Sequence, residues 1–356
     1  MEILLNPGPV NLSERVRKAM LKPDLCHREI EFAALQTGIR EKLLDVYGLS
    51  PDDWAAILLT GSGTAAMEAM LSSLVPADGK VLIIENGVYG ERLTRIAEIY
   101  HIEHITLHYE WGEQIRINEC DNSLFEDISH VAVVHHETTT GRLNDLSPIA
   151  EVCRENNKTL LVDGVSSFGG ESIEFESWGL TAVAVTANKC LHGIPGTSMV
   201  ICRRDALTDA HPRSLYLDLV RYVKAQDNQS VPFTPAVPSC LALAEALAEL
   251  SEQGGWPARH DRYQALQQRV EEKLDSLGVK PLLPVAESSV VLRAYYLPAG
   301  MDYKTLHDRL KFHGFVIYAG QGGMANSMFR ISTMGDITEY DMNCLEGALQ
   351  SALAGK

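Results

Sequence analysis

Residues 181–196 read TAVAVTANKCLHGIPG, an apolar run that ends at Asn188-Lys189 and meets a turn rich in glycine and proline. Small and β-branched apolar residues of this kind make a buried strand, so Lys189 is delivered to the mouth of a sheet with little water to solvate an ammonium. Two readings fit that position. A strand-end lysine can pack its stem and extend its tip to solvent. Otherwise the amine is held with a depressed pKa so that it forms a Schiff base with a carbonyl. The rest of the chain has to choose.

Similar runs recur on both sides. AAILLT (55–60), KVLIIE (80–85), HVAVVHH (130–136), KTLLVDG (158–164), AVAVTAN (182–188) and SMVICR (198–203) alternate with helical patterns. That rhythm predicts an α/β fold with a mostly parallel sheet buried on both faces. Helices are expected to start at Thr64 after GSG, at Gly90 after NGVY and at Ser147-Pro148, where a cap residue precedes a first-turn proline. Ligands of such open sheets sit beyond the carboxyl ends of the strands, so the loops that follow them carry the chemistry.

Residues 239–277 read as two amphipathic helices broken at Gly254-Gly255 and Trp256-Pro257. Beyond them lie SSVVLRAYYL, a helical pattern around MDYKTLHDRLKFHG, the apolar runs FVIYAG and SMFRIST, and a last helix from about Thr338. The expected organisation is an N-terminal segment (1–20), a large α/β domain (21–250) and a small C-terminal α+β domain (251–356).

A chain of 356 residues with 46% hydrophobic content exceeds the usual single-domain size, which agrees with two domains. The 31 Lys and Arg against 47 Asp and Glu give a formal net charge of −16, unsuited to nucleic acid or anionic membrane. Seven dispersed cysteines without CxxC spacing argue against a disulfide framework or a zinc ribbon and fit a reducing, cytoplasmic setting. The start MEILLNPGPV has no signal-peptide pattern, and no run approaches the roughly 20 apolar residues of a membrane span. His101, His104 and His108 in HIEHITLHYE lack a carboxylate ligand set, so no metal is expected there. The strand-end pair His135-His136 reads as structural, and Cys190 reads as packing because nothing nearby in sequence activates its thiol.

In LLTGSGTAAMEAM, the residues Gly61, Ser62, Gly63 and Thr64 lie between a strand and a helix, where backbone N–H groups and the helix dipole favour a phosphate. Gly61, Gly63 and Ala66 also satisfy G-x-G-x-x-A, and Glu85 ends the next strand where a ribose-binding acid is wanted, so a nicotinamide-dependent dehydrogenase is a rival reading. That rival assigns no task to Asp163 or Lys189. Asp163 closes the run TLLVD, where a buried carboxylate needs a cation or hydrogen-bond donors. A protonated pyridine nitrogen is one such cation. Lys189 follows 26 residues later, one βα step on. Glycine loop, aspartate and lysine then become contacts to the phosphate, ring nitrogen and aldehyde of one pyridoxal phosphate.

The segments GSGTAAMEA, ENGVYGER, HHETTTGRLN, VDGVSSFGG, ANKCLHGIPG, RSLYLDL, GFVIYAG and FRIS occur in the order found in the class V branch of fold-type I pyridoxal phosphate aminotransferases, and the chain resembles that family over nearly its whole length. SSFGG, ANKC-x-x-G-x-PG, RSL-x-LDL and GFVIY-x-G are most similar to the members that move the amino group of 2-aminoethylphosphonate to pyruvate. The resemblance implies a mostly parallel seven-stranded sheet, pyridoxal 5'-phosphate as cofactor, a homodimer, ping-pong kinetics, and a small anionic amine donor with a keto acid acceptor. Carried over by position, it implies Lys189 as the Schiff-base lysine and Asp163 as the pyridinium partner. It implies Ser62, Gly63 and Thr64 at the phosphate, Tyr89 stacked on the ring, and Thr138 near the ring oxygen. Thr234 of FTP would reach the phosphate from the neighbouring subunit, while Arg330 of FRIS and Gly8 would meet the substrate. DLCHREIEF (24–32) is closer to the alanine– and serine–glyoxylate enzymes of the same class, and NQSVPFTPAVPS (228–239) also departs from the phosphonate pattern. An enzyme using glyoxylate is therefore the alternative within the family.

Overall fold

The structure, a computed structural model, describes residues 2–354. Its large sheet has seven strands: β1 (Trp54–Gly61), β2 (Lys80–Glu85), β3 (Glu103–His108), β4 (His130–Val134), β5 (Thr159–Asp163), β6 (Leu180–Thr186) and β7 (Gly196–Arg203). Their order across the sheet is β1-β7-β6-β5-β4-β2-β3. All neighbours are parallel except that β7 runs against both β1 and β6. The expected mostly parallel sheet is what forms. Its reversed strand lies between two strands that share a direction, so β1, β5 and β6 all end on the same edge.

Alternation along the strands explains why both faces are covered. In β4, Val131 and Val133 enter one core while Ala132 and Val134 enter the other; β2 divides Leu82 and Ile84 from Val81 and Ile83 in the same way. The helix Gly63–Leu74 is buried along almost its whole length against the second face. β3 is the exception, a half-exposed edge strand bearing Glu103, His104 and His108, whose charged and polar side chains suit an unpaired edge. Its polar make-up kept HIEHITLHYE from reading as a strand.

Two helix starts shift by one or two residues from the sequence expectation, and the third falls at Ser147 as expected. The helices begin at Gly63, Val88 and Ser147, with Pro148 in the first turn of the last. A larger difference concerns Trp256-Pro257. The helices Val237–Glu252 and Gly255–Ser276 part at Gln253-Gly254, with Gly254 at φ +98°, and Trp256-Pro257 belong to the first turn of the second helix, where a proline costs no hydrogen bond.

The C-terminal part carries a three-stranded antiparallel sheet of Leu292–Tyr296, Met328–Ser332 and Tyr318–Ala319, with the helices Tyr303–Phe312 and Glu339–Ala354. The N-terminal residues join it: Ile3-Leu4 pair with Phe315-Val316, and Leu5 lies in the core shared by Leu306, Phe329 and Leu349. The chain then runs over the Lys189 loop, where Val10 packs with Cys190 and Met334. Among the described residues no helix is long and apolar enough to cross a membrane.

Candidate active site

Three strand ends converge on one edge. β1 hands over to the helix at Gly63 through Ser62, whose backbone is extended and whose side chain makes no capping bond. Gly63 is needed for space, since a Cβ there would lie 2.7 Å from Cγ1 of Val165, two residues beyond Asp163. The helix N-terminus is thereby pressed against the loop that follows β5, its free N–H groups facing the same region.

Asp163, at the end of β5, is 3% exposed, and its Oδ1 accepts from the Val165 amide at 2.9 Å. Burial pushes its carboxyl up to about 6, opposed by that amide, Arg92 and Lys189. Lys189 sits in the loop between β6 and β7, half-buried, with Nζ donating to the carbonyl of Pro7. Burial is the main cause that brings its ammonium down to about 8, with Asp163 opposing and Arg330 and Arg92 adding to the fall. Gly8, at φ +113°, lies directly on the lysine stem: a Cβ would be 2.8 Å from Lys189 Cδ. The reading of Lys189 as a snorkelling strand-end lysine is not what the chain builds. Its amine turns inward beneath the N-terminal segment.

Tyr89 stands at the start of the helix Val88–Ile99 with the Arg92 guanidinium 4.6 Å from its ring centre, and Arg92 Nη1 donates to Thr64 Oγ1 at 3.2 Å. Arg92 joins the glycine loop to the aromatic and acts on the charge of both Asp163 and Lys189. It lay within ENGVYGER, but nothing in the sequence distinguished it from a solvated helix charge.

Arg330 enters from the C-terminal sheet and is 2% exposed. Its Nε donates to Ala319 O at 2.9 Å and its Nη1 to Thr138 O at 2.8 Å, with Gln321 Oε1 at 3.5 Å. No carboxylate pairs with it among the described residues, and its Nη2 has no hydrogen bond there. Burial draws its pKa down. A buried guanidinium held only by carbonyls retains its charge for an incoming anion. Thr234, by contrast, is exposed and makes no hydrogen bond among the described residues.

Pyridoxal phosphate fits the groups present. Among the described residues Thr138 Oγ1 and His136 Nε2 are buried polar atoms without a partner and Asp163 is a buried acid lacking a contact cation, while Lys189 is an amine whose proton burial makes easier to lose. Cys190 is fully buried with its thiol pushed up to about 12 by burial, which agrees with packing. The dinucleotide reading is overturned by topology. In that fold the glycine-bearing strand lies inside the sheet at its switch point, whereas β1 is an edge strand antiparallel to its one neighbour. Glu85 is engaged by Thr94 Oγ1 and by His108 Nδ1 at 3.3 Å.

Sheet order, strand-end acid and inward lysine together define the fold-type I class of pyridoxal phosphate enzymes. Comparison with known proteins gives the finer placement. The family profile described as aminotransferase class-V matches residues 17–321, and the chain belongs to that family. It is 37% identical over 360 aligned positions to the 2-aminoethylphosphonate–pyruvate transaminase of Vibrio vulnificus (strain CMCP6), covering 99% of this chain and 97% of that one. It is 35% identical over 350 positions to the transaminase of the same name from Bacillus cereus (strain AH820), covering 96% and 95%. Among solved structures, a subgroup IV aspartate aminotransferase from Thermus thermophilus superposes with a TM-score of 0.91 at 29% identity, covering 99% of both chains. The alanine–glyoxylate aminotransferase of Nostoc sp. gives 0.92 at 29% identity, covering 99% of this chain and 95% of that one. The protein is a pyridoxal phosphate-dependent aminotransferase of small amino and keto compounds.

Proposed function

We propose that this enzyme transfers the amino group of 2-aminoethylphosphonate to pyruvate, giving phosphonoacetaldehyde and L-alanine by a ping-pong sequence. The observation that carries the reading is Arg330, a buried guanidinium with no carboxylate partner among the described residues, in a chain whose curated relatives bear that activity's name. A planar fork of donors grips a phosphonate in one half-reaction and the carboxylate of pyruvate in the other.

When bound, pyridoxal phosphate supplies the electron sink that lets an amino group and a proton change places on a carbon skeleton. Lys189 would anchor the aldehyde end and, as a free amine, would carry the proton from the nitrogen-bearing carbon of the substrate. Its lowered pKa favours the neutral amine that this requires. Asp163 would hold a proton on the pyridine nitrogen, and that cation would in turn favour the ionised acid. Ser62, Gly63 and Thr64 would hold the phosphate at the helix N-terminus, Tyr89 would cover the ring, and Thr138 Oγ1 would be free to donate to the ring oxygen. Gly8 lines the substrate side above the lysine. Thr234 projects from the surface to complete the phosphate site of a second subunit in a homodimer.

The glyoxylate-using alternative is favoured by the superposition on the Nostoc enzyme. One experiment separates the two: the absorbance spectrum of the reconstituted enzyme with 2-aminoethylphosphonate and no acceptor. The proposal expects the visible band to bleach. A band unmoved by that amine but bleached by alanine or serine overturns the substrate and keeps the class.

A further inference from the structure

Glu137 is a buried carboxyl, 0% exposed, that none of the roles above uses. It lies in HHETTTG between the site residues of two separate elements, and its two oxygens are shared between them. Oε2 accepts from the amides of Tyr89 at 3.1 Å and Gly90 at 3.3 Å, in the first turn of the helix Val88–Ile99. Oε1 accepts from the Thr139 amide at 3.1 Å and the Thr139 hydroxyl at 2.5 Å. Four donors meet the carboxylate, and the three backbone amides among them offer no acceptor for an acid proton. Such a set favours the anion even though burial pushes the carboxyl up to about 7.

The neighbouring geometry shows that space is kept for this group. Gly87 has extended backbone that any residue adopts, yet a Cβ there would collide with Cγ and Cδ of Glu137. On the other side, Thr139 Oγ1 accepts from the Val88 amide at 3.1 Å and lies 3.3 Å from Gln321 Oε1, the side chain that also approaches Arg330. Thr138, one residue before, supplies the carbonyl that holds Arg330 at 2.8 Å.

We propose that Glu137 is a positioning residue that fixes two walls of the site together, holding the helix turn that presents Tyr89 and the Thr138-Thr139 turn that seats Arg330. It touches neither substrate nor cofactor. The Tyr89 side rests on pyridoxal phosphate binding alone, while the Arg330 side rests on the reading of Arg330 as the anion clamp.

The test uses the full-length protein, with pyridoxal phosphate affinity read by titrating the apoprotein and the KM for pyruvate read with saturating 2-aminoethylphosphonate. Glu137→Gln keeps the shape and turns an amide NH2 toward the donors; we expect the affinity for pyridoxal phosphate to fall and the KM for pyruvate to rise, each by about tenfold. Gly87→Ala, which displaces Glu137 by contact and strains no dihedral, is expected to reproduce both effects. Gln321→Ala removes the side chain that lies between Thr139 Oγ1 and Arg330 and leaves the Tyr89 turn with its own bonds; it is expected to raise KM about threefold while pyridoxal phosphate affinity stays within twofold. That split is one a general loss of stability does not produce. Wild-type affinity and KM in Glu137→Gln or in Gly87→Ala overturn the proposal, as does a Gln321→Ala enzyme whose two constants move together. If Glu137→Gln does not fold, the other two variants decide. An Arg330→Lys enzyme with unchanged KM overturns the clamp reading instead, and a wild-type enzyme inactive on this substrate pair overturns the substrate reading; the cofactor titration still judges Glu137 in both cases.

Discussion

Arg330 donates from Nη1 to the backbone carbonyl of Thr138 at 2.8 Å, joining positions 192 residues apart in the sequence. The bond ties the C-terminal sheet to the turn that follows β4 and fixes the guanidinium at the mouth of the site. Replacing Arg330 with Ala should therefore raise KM for acidic substrates by about 10- to 100-fold, the worth of a charge-assisted contact. Affinity for pyridoxal phosphate should change by less than about threefold. Titration of the apoprotein alongside steady-state kinetics checks this, and equal loss of both quantities counts against the clamp.

Lys189→Ala removes the inward amine. Turnover should vanish and the reconstituted protein should lack the visible absorbance band of wild type, while the fold survives because the lysine tip contributes one contact, to Pro7. Sustained multiple turnover by this variant is incompatible with the assignment.

Gly8→Ala tests the close approach of the N-terminal segment. A methyl 2.8 Å from Lys189 Cδ, at a φ of +113°, should cost about 1 kcal/mol or more of stability in a denaturant melt. It should also displace the lysine stem and lower kcat by about tenfold or more. Wild-type kcat in a folded Gly8→Ala enzyme would show that the segment is only a neighbour.

The apoprotein should lose stability in mild acid. Burial lowers His130 and His136 to about 4 and His135 to about 3. Between those values and the ordinary histidine pKa near 6.5 the unfolded chain binds more protons, so stability falls as pH drops through that window. Each group contributes a slope of about 1.4 kcal/mol per pH unit. Asp163 and Glu137, raised by burial to about 6 and 7, act with the opposite sign in the same region. His130 starts β4, at the end of the strand remote from the site, so the difference between wild type and His130→Gln isolates one histidine. Denaturation at pH 5 and pH 7 should show a smaller pH effect in the variant, and an unchanged effect would mean that His130 titrates normally in the folded chain.

The large sheet was legible because its strands are short uninterrupted apolar runs, and Asp163 and Lys189 stood out as charged residues ending two of them. The edge strand Glu103–His108 was not legible, since one exposed face admits the polar residues that a buried strand excludes. The direction of β7 also escaped, because a connection of nine residues between Thr186 and Gly196 carries no helical pattern and direction is not written in composition. Arg92, Glu137 and Gln321 were missed for a common reason. Their quoted motifs contained two of them, but a buried carboxyl that gathers four donors looks in sequence like any acid in a turn.

The reversal of β7 has a further effect. Because Thr186 of β6 pairs directly with Ser198 of β7, the Lys189 loop leaves and re-enters the same sheet and is anchored at both of its ends. Arg330, Gln321 and Gly8 instead arrive on segments that pack with the smaller core or lie beside it. On the proposed roles, the reactive amine would thus sit on a loop tied to the large sheet at both ends, while the groups that meet the substrate would come from outside that sheet. On the same roles, changes in the C-terminal sheet would retune which acid is accepted without disturbing the lysine, whereas changes in the N-terminal strap, which lies on the lysine stem, would move both.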